Sequence, residues 1–340
     1  MNTGKNLQKH SPLVFVALVV TTVPPSSIGQ VAEPGSIKNS PASGPSSPAN
    51  VPDGFVITPF GYFDPSCVQS LLKGEKLLSD GRLQREDGTT AETVAVCNYP
   101  HYNRSGIRIS STTGTATPRE KNSVVTNISP EINGWIEDES ITTGSPTEAY
   151  GAMFATWKVP PQPSANDGQV LYFFPGFEDI NDSQTSILQP VLQWYQDQWS
   201  LASWNCCING VVTNSPSVNV SPGDEIYGSI TSSCLPGTLS CATWNVLSLD
   251  LSTGESTTLG DTPSEGQIFN WAFGGVLEPY YVISCDDYPA DRHITFENIT
   301  VFDQNLHPVH AKFSGSSNST ETPQCNYGVK GTKDTVRLDY

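Results

Sequence analysis

From about Asn133 onward the chain is a series of short apolar runs separated by turn clusters, and no run carries a helical period of useful length. Apolar residues spaced in this way suit strands, so this half reads as all-β, a sandwich or barrel. The expected strands are Ala149–Val159, Gln169–Phe174, Ser186–Tyr195, Glu225–Thr231, Thr243–Leu251, Phe269–Val282 and Ile294–Phe302. Pro222-Gly223-Asp224 and Ser252-Thr253-Gly254 supply turns,. No internal repeat is present. The 28 Gly and 27 Pro of the 340 residues fit many turns between strands.

Charge narrows the function classes. With 17 Lys+Arg against 34 Asp+Glu the net charge is −17. Nucleic-acid binding rests on neutralising phosphates and is excluded on this count. Charged residues are only 15% of the chain, so its polar surface is largely Ser, Thr, Asn and Gln. Such a surface keeps its solubility when carboxylates protonate, which suits acid surroundings.

The N-terminus reads as a secretory signal, with Lys5 and Lys9 ahead of an apolar Pro12 to Val23 and cleavage expected after Gly29,. No later segment is long and apolar enough to span a membrane, so no membrane partner is expected,. Residues 30–54 form a Pro/Ser-rich linker,. Residues 55–130 read as an accessory or propeptide region with a short helix near Val68 to Leu78 and little core material. Residues 131–312 form the β domain, and 313–340 a polar tail. The eight cysteines, even in number, predict disulfides in an extracellular protein,. Cys234 and Cys241 can close a short loop, Cys67–Cys97 would staple the N-terminal region, and Cys325 would tie down the tail. Sequons at Asn103, Asn127, Asn181, Asn219, Asn298 and Asn318 predict N-linked glycans,.

Two strands carry residues with chemistry. In Ser186–Tyr195, Leu188, Leu192 and Trp194 share one face, and Ile187, Gln189, Val191 and Gln193 the other,. Pro190 cannot donate to a ladder, which predicts an edge or a bulge. In Phe269–Val282, Val276, Glu278 and Tyr280 share a face. A lone carboxylate among Leu277, Pro279, Tyr280 and Tyr281 is partly desolvated. Its pKa therefore rises, as suits a general acid/base. A plain alternative is a structural carboxylate paired with an Arg or a Tyr hydroxyl. Glu178-Asp179-Ile180-Asn181-Asp182 and Glu137-Asp138-Glu139 read as solvated turns or loops. The histidines show no metal spacing, and G-x-S-x-G is absent,. No metal or cofactor is expected.

The order of motifs resembles the eqolisin family of glutamic peptidases. The matching pieces are Asn133-Gly134-Trp135, Phe154 through Pro160, Tyr172 through Gly176, and Ile187-Leu188-Gln189. Trp199 through Trp204, Val220 through Ile226, Leu249 through Glu255, and Gly275-Val276-Leu277-Glu278 follow. The likeness spans roughly Asn133 to Val301 and implies a concanavalin-like β-sandwich of two curved antiparallel sheets. It implies Gln189 and Glu278 as the catalytic pair on the concave face, and an extended polypeptide as substrate. Subsites would be lined by Trp194, Trp204, Tyr280 and Phe174. The neprosin-type peptidases are more distant relatives that use two glutamates, where this chain has Gln189 and Glu278. The family's Trp before the Gln strand is replaced by Phe173 or Phe174, Pro190 follows the Gln, and Gly274-Gly275 replaces an aromatic near the Glu. The resemblance implies a secreted, acid-acting endopeptidase. A non-catalytic, lectin-like carbohydrate-binding sandwich and a glycoside hydrolase are the other readings. A glycoside hydrolase would need a second well-placed carboxylate.

Overall fold

The computed structural model describes residues 47–340 apart from 79, 81, 94–95, 110–134, 146, 181–185 and 319. The expected signal peptide and most of the linker lie outside the described residues, as do Asn127 and Asn181.

Two sheets pack face to face as a β-sandwich, and no α-helix occurs among the described residues. One sheet runs Ser256–Pro263, Thr243–Asp250, Glu225–Ser232, Tyr150–Lys158, His293–Asp303, Val336–Asp339, Gly328–Gly331. The other runs Ser314–Ser317, Glu137–Thr142, Trp271–Tyr280, Val170–Glu178, Ile187–Tyr195, Gln198–Cys206, Val212–Asn214, Val68–Ser70. Pairing is antiparallel except between Val68–Ser70 and Val212–Asn214, which run parallel.

The period-two pattern sends alternate residues to two different cores. Leu171, Phe173, Phe177, Leu188, Leu192, Trp194 and Leu277 fill the space between the sheets. Tyr172, Phe174, Ile187, Val191, Trp204, Val276 and Tyr280 face the other way. They pack against Phe60, Tyr62, Phe63 and Tyr102 of the N-terminal region, which forms a second core. Burying one such Phe or Leu is worth ~1.5–3 kcal/mol. The N-terminal region is thus a folded layer over one face of the sandwich. Its four-stranded sheet runs Val56–Thr58, Gly61–Phe63, His101–Tyr102, Arg108–Ile109.

The tip of this layer is the turn Thr58-Pro59-Phe60-Gly61. It needs glycine at its end, because Gly61 has φ +117° and a Cβ there would lie 2.2 Å from the Tyr102 carbonyl oxygen. The Thr58 hydroxyl donates to the Gly61 carbonyl at 3.1 Å and closes the turn.

Several expectations are corrected. The helix near Val68 to Leu78 is instead two short strands, Val68–Ser70 and Lys76–Leu77. Glu137-Asp138-Glu139 is no solvated loop but part of strand Glu137–Thr142, with Glu137 and Glu139 buried between the sheets. The tail contributes strands to both sheets. Pro190 sits in a central strand, paired with Ser203. On its other side the ladder is recorded at Phe173–Leu192 and Phe177–Leu188 but not between them, where Pro175 and Pro190 both lack an N–H,. The disulfides are Cys67–Cys97, Cys206–Cys207, Cys234–Cys241 and Cys285–Cys325. Among the described residues no cysteine is free.

Candidate active site

Gln189 and Glu278 lie on the same face, each fully buried beneath the N-terminal layer. Strand alternation puts Gln189 beside Ile187 and Val191, and Glu278 beside Val276 and Tyr280. The strand Val170–Glu178 separates them. They are not level along it: Glu278 pairs with Tyr172, which pairs on its other side with Gln193, four residues beyond Gln189. No hydrogen bond joins Gln189 to Glu278.

A single peptide segment spans the two instead. Gln189 Nε2 donates to the Pro59 carbonyl oxygen at 3.1 Å. The Tyr280 hydroxyl lies 3.2 Å from the Thr58 carbonyl oxygen and 2.5 Å from Glu278 Oε1. The Tyr172 hydroxyl reaches the Ile57 carbonyl oxygen at 3.5 Å. Three consecutive carbonyls therefore meet three side-chain donors of the sheet. Glu278 Oε2 and Gln189 Oε1 are buried and accept no hydrogen bond.

Burial pushes the Glu278 carboxyl up to about 8. The Tyr280 hydroxyl and the Arg104 guanidinium oppose that rise by favouring the carboxylate,. Glu278 is therefore a neutral acid over the acid and neutral range. Tyr62 of the N-terminal layer and Tyr172 each stand edge-on to Tyr280, at 5.2 Å and 6.1 Å, so tyrosines ring the carboxyl. The next residue, Tyr281, has φ +59°, a strained conformation for an aromatic residue,.

Sequence reasoning missed two carboxylates on this face. Glu178 is fully buried with neither oxygen hydrogen-bonded. Desolvation, then Asp138, Asp179 and Glu278, hold its carboxyl well above the usual range. Asp138 pairs with Val276 and is raised to about 6, mainly by desolvation. Their one signal was parity with strand neighbours, which was lost once both were read as loop residues. Tyr172 was likewise visible only as a strand aromatic.

The expected subsite aromatics divide. Trp204 pairs directly with Gln189, and Phe174 and Tyr280 share its face. Trp194 does not. It lies between the sheets, 5.2 Å from Trp199, because its parity is that of Leu188 and Leu192. The sequon at Asn103 is also unsuited to a glycan: the residue is buried and its side chain accepts from the Ile107 N–H at 2.9 Å. Among the described residues no group of His, Cys, Asp and Glu has metal-binding geometry.

No protein-family profile and no curated protein matches this chain. Solved structures do. Scytalido-glutamic peptidase with a peptide-based transition-state analogue is 18% identical over 61% of this chain and 98% of its own, with a TM-score of 0.44. SCP-B, an eqolisin peptidase in complex with the tripeptide Ala-Ile-His, is 19% identical over the same shares, at 0.40. Aspergilloglutamic peptidase from Aspergillus niger is 17% identical over 50% of this chain and 98% of its own, at 0.37. The chain is similar to these eqolisin structures.

Proposed function

We propose that the chain is a secreted, acid-acting endopeptidase of the glutamic type, with the N-terminal layer lying over its site as an inhibitory segment. The observation that carries this reading is the peptide already seated there. Consecutive carbonyls of Ile57, Thr58 and Pro59 are met by Tyr172, Tyr280 and Gln189. A face that holds its own backbone in this way is suited to holding a substrate's.

Glu278 supplies the acid/base group, since burial keeps its proton at the pH where such an enzyme works,. Gln189 supplies a neutral donor to a peptide carbonyl. A donor of this kind, held ready in a dry site, fixes the register of the bound chain against Glu278. Trp204 and Phe174 flank it as apolar walls. Four disulfides suit an oxidising compartment, and the exposed sequons Asn219 and Asn298 suit glycosylation there,.

The test is cleavage of a denatured protein by the purified chain from pH 2 to 7, beside Glu278→Gln and Gln189→Ala. Cleavage in the acid range that Glu278→Gln lacks, and that Gln189→Ala slows about 100-fold through lost positioning of the bound chain, is expected. Cleavage that persists undiminished in Glu278→Gln removes the reading. The carboxyls of Glu178 and Asp138 on this face favour glycoside hydrolysis as the second reading, since that chemistry uses two carboxyl groups,. Release of sugar from a polysaccharide, without proteolysis, would select it.

A further inference from the structure

No hydrogen bond joins Glu278 to the peptide that lies over it; Tyr280 makes one. The Tyr280 hydroxyl stands between the Glu278 carboxyl, at 2.5 Å, and the Thr58 carbonyl oxygen, at 3.2 Å. A hydroxyl has one proton and two lone pairs, so it can receive from one neighbour while giving to the other. Glu278 Oε1 is held by Tyr280, and Oε2 is buried and unpartnered. Gln189 meets the next carbonyl along, that of Pro59.

We propose that Tyr280 is itself a catalytic residue, handing a proton from Glu278 to the carbonyl oxygen of the bond being hydrolysed. This rests on the peptidase reading above and sharpens it. The reacting carbonyl is the one that stands where Thr58 does, and Gln189 holds the carbonyl of the following residue.

The proton balance closes on one carboxyl group. Glu278 begins protonated on Oε1. As a water oxygen bonds to the carbonyl carbon, the Oε1 proton passes to the Tyr280 oxygen and the Tyr280 proton passes to the carbonyl oxygen. The water releases its proton to Oε2. A neutral gem-diol results, and Glu278 is protonated again, now on Oε2. In the second half the Oε2 proton moves to the amide nitrogen as the C–N bond breaks. One diol hydroxyl becomes the carbonyl of the new acid, and its proton returns through Tyr280 to Oε1. One water is consumed, and one carboxylic acid and one amine are formed. No buried charge has to persist, which matters because Tyr280 and Glu278 are both fully enclosed,.

The same placement accounts for a strap that can lie on the site intact. The bond after the Thr58 carbonyl leads to Pro59, whose nitrogen carries no hydrogen and whose ring fixes the backbone,.

Three measurements on the full chain test the relay. The infrared carboxyl band that vanishes in Glu278→Gln is titrated in wild type, Tyr280→Phe and the exposed-tyrosine control Tyr195→Phe. The expected result is a midpoint that rises in Tyr280→Phe and stays put in Tyr195→Phe, because the lost hydroxyl favoured the charged form. In peptide hydrolysis, Tyr280→Phe should lose ~100-fold or more in kcat with KM within about twofold. Pro59→Ala should become self-cleaving in acid between residues 58 and 59, read as a new N-terminus by mass spectrometry. Wild-type kcat in Tyr280→Phe overturns the relay and leaves the peptidase reading standing. So does an unmoved carboxyl midpoint, or self-cleavage after residue 59. A wild type that cleaves nothing from pH 2 to 7, with no self-cleavage in Pro59→Ala, overturns both.

Discussion

Arg104 and Glu321 meet in a two-pronged ion pair, Nη1 to Oε1 at 3.0 Å and Nη2 to Oε2 at 2.6 Å. Arg104 belongs to the N-terminal layer and Glu321 to the C-terminal segment, and each side chain is only 16–17% exposed. Breaking such a pair by neutralising one partner strands the other, at about 3–5 kcal/mol. Glu321→Gln is therefore expected to loosen the N-terminal layer while the sandwich stays folded. Hydrogen exchange should rise in residues 55–63 and 101–109 and stay unchanged in the strand Tyr150–Lys158. Equal protection in both proteins would refute this.

His101 sets how that layer responds to acid. Its ring stacks on Phe63 at 4.5 Å and lies 6.3 Å from Phe60, and neither ring nitrogen has a partner. Burial lowers it to about 4. The unfolded chain takes up the proton first, near pH 6.5. The stability that the neutral ring supplies is thus complete above about 6.5 and is lost as pH falls toward 4. The loss there is on the order of 3 kcal/mol. Protection of the amides of residues 60–63, taken relative to their intrinsic exchange rates, should fall between pH 6.5 and 4, and His101→Phe should abolish that fall. A variant with the wild-type pH profile would show that the trigger lies elsewhere.

The sandwich responds in the opposite sense. Burial raises Glu137 to about 9, Glu139 to about 7, Asp138 to about 6 and Glu278 to about 8. Here the unfolded chain loses its protons first. Stability is greatest below the ordinary carboxylate range and declines as pH climbs through 6 to 9. Calorimetry should find the main transition at its highest temperature in acid and falling toward pH 9, with Glu137→Gln flattening the upper end. A transition temperature that rises between pH 5 and 8 would contradict this.

Strand parity carried much of the site in the sequence. Alternation alone put Gln189 with Val191, and Glu278 with Tyr280, on faces that could line a groove. What it could not carry was level. The offset between Gln189 and Glu278 depends on how three strands slide past one another. That sliding depends on a bulge opposite Phe174–Gly176 that no local pattern announces. Nor could periodicity show that two prolines, Pro175 and Pro190, fall opposite each other in neighbouring strands. The N-terminal layer was illegible for a different reason. Its strands are two or three residues long, too short for any period, and its core is completed by residues of the sheet it covers.

The bulge predicts its own mutational cost. Gly274 and Gly275 both turn inward, where a Cβ on Gly275 would stand 2.6 Å from Phe296 Cδ2 and one on Gly274 2.7 Å from Val336 Cγ2. Overpacking of this kind typically costs ~1–3 kcal/mol. Gly275→Ala should lower the urea midpoint accordingly, and an unchanged midpoint would mean that the sheets separate more easily than their packing implies.

The parallel pairing of Val68–Ser70 with Val212–Asn214 gives the N-terminal region a second task. It closes the open side of the sheet as well as its face. Peeling it away would free the face that carries Gln189 and Glu278 and, in the same act, bare a row of unpaired backbone groups along Val212–Asn214. Bare edges of this sort recruit strands from other molecules. A chain stripped of this region would therefore gain a tendency to self-associate, unless the Cys67–Cys97 loop stayed behind to guard the rim.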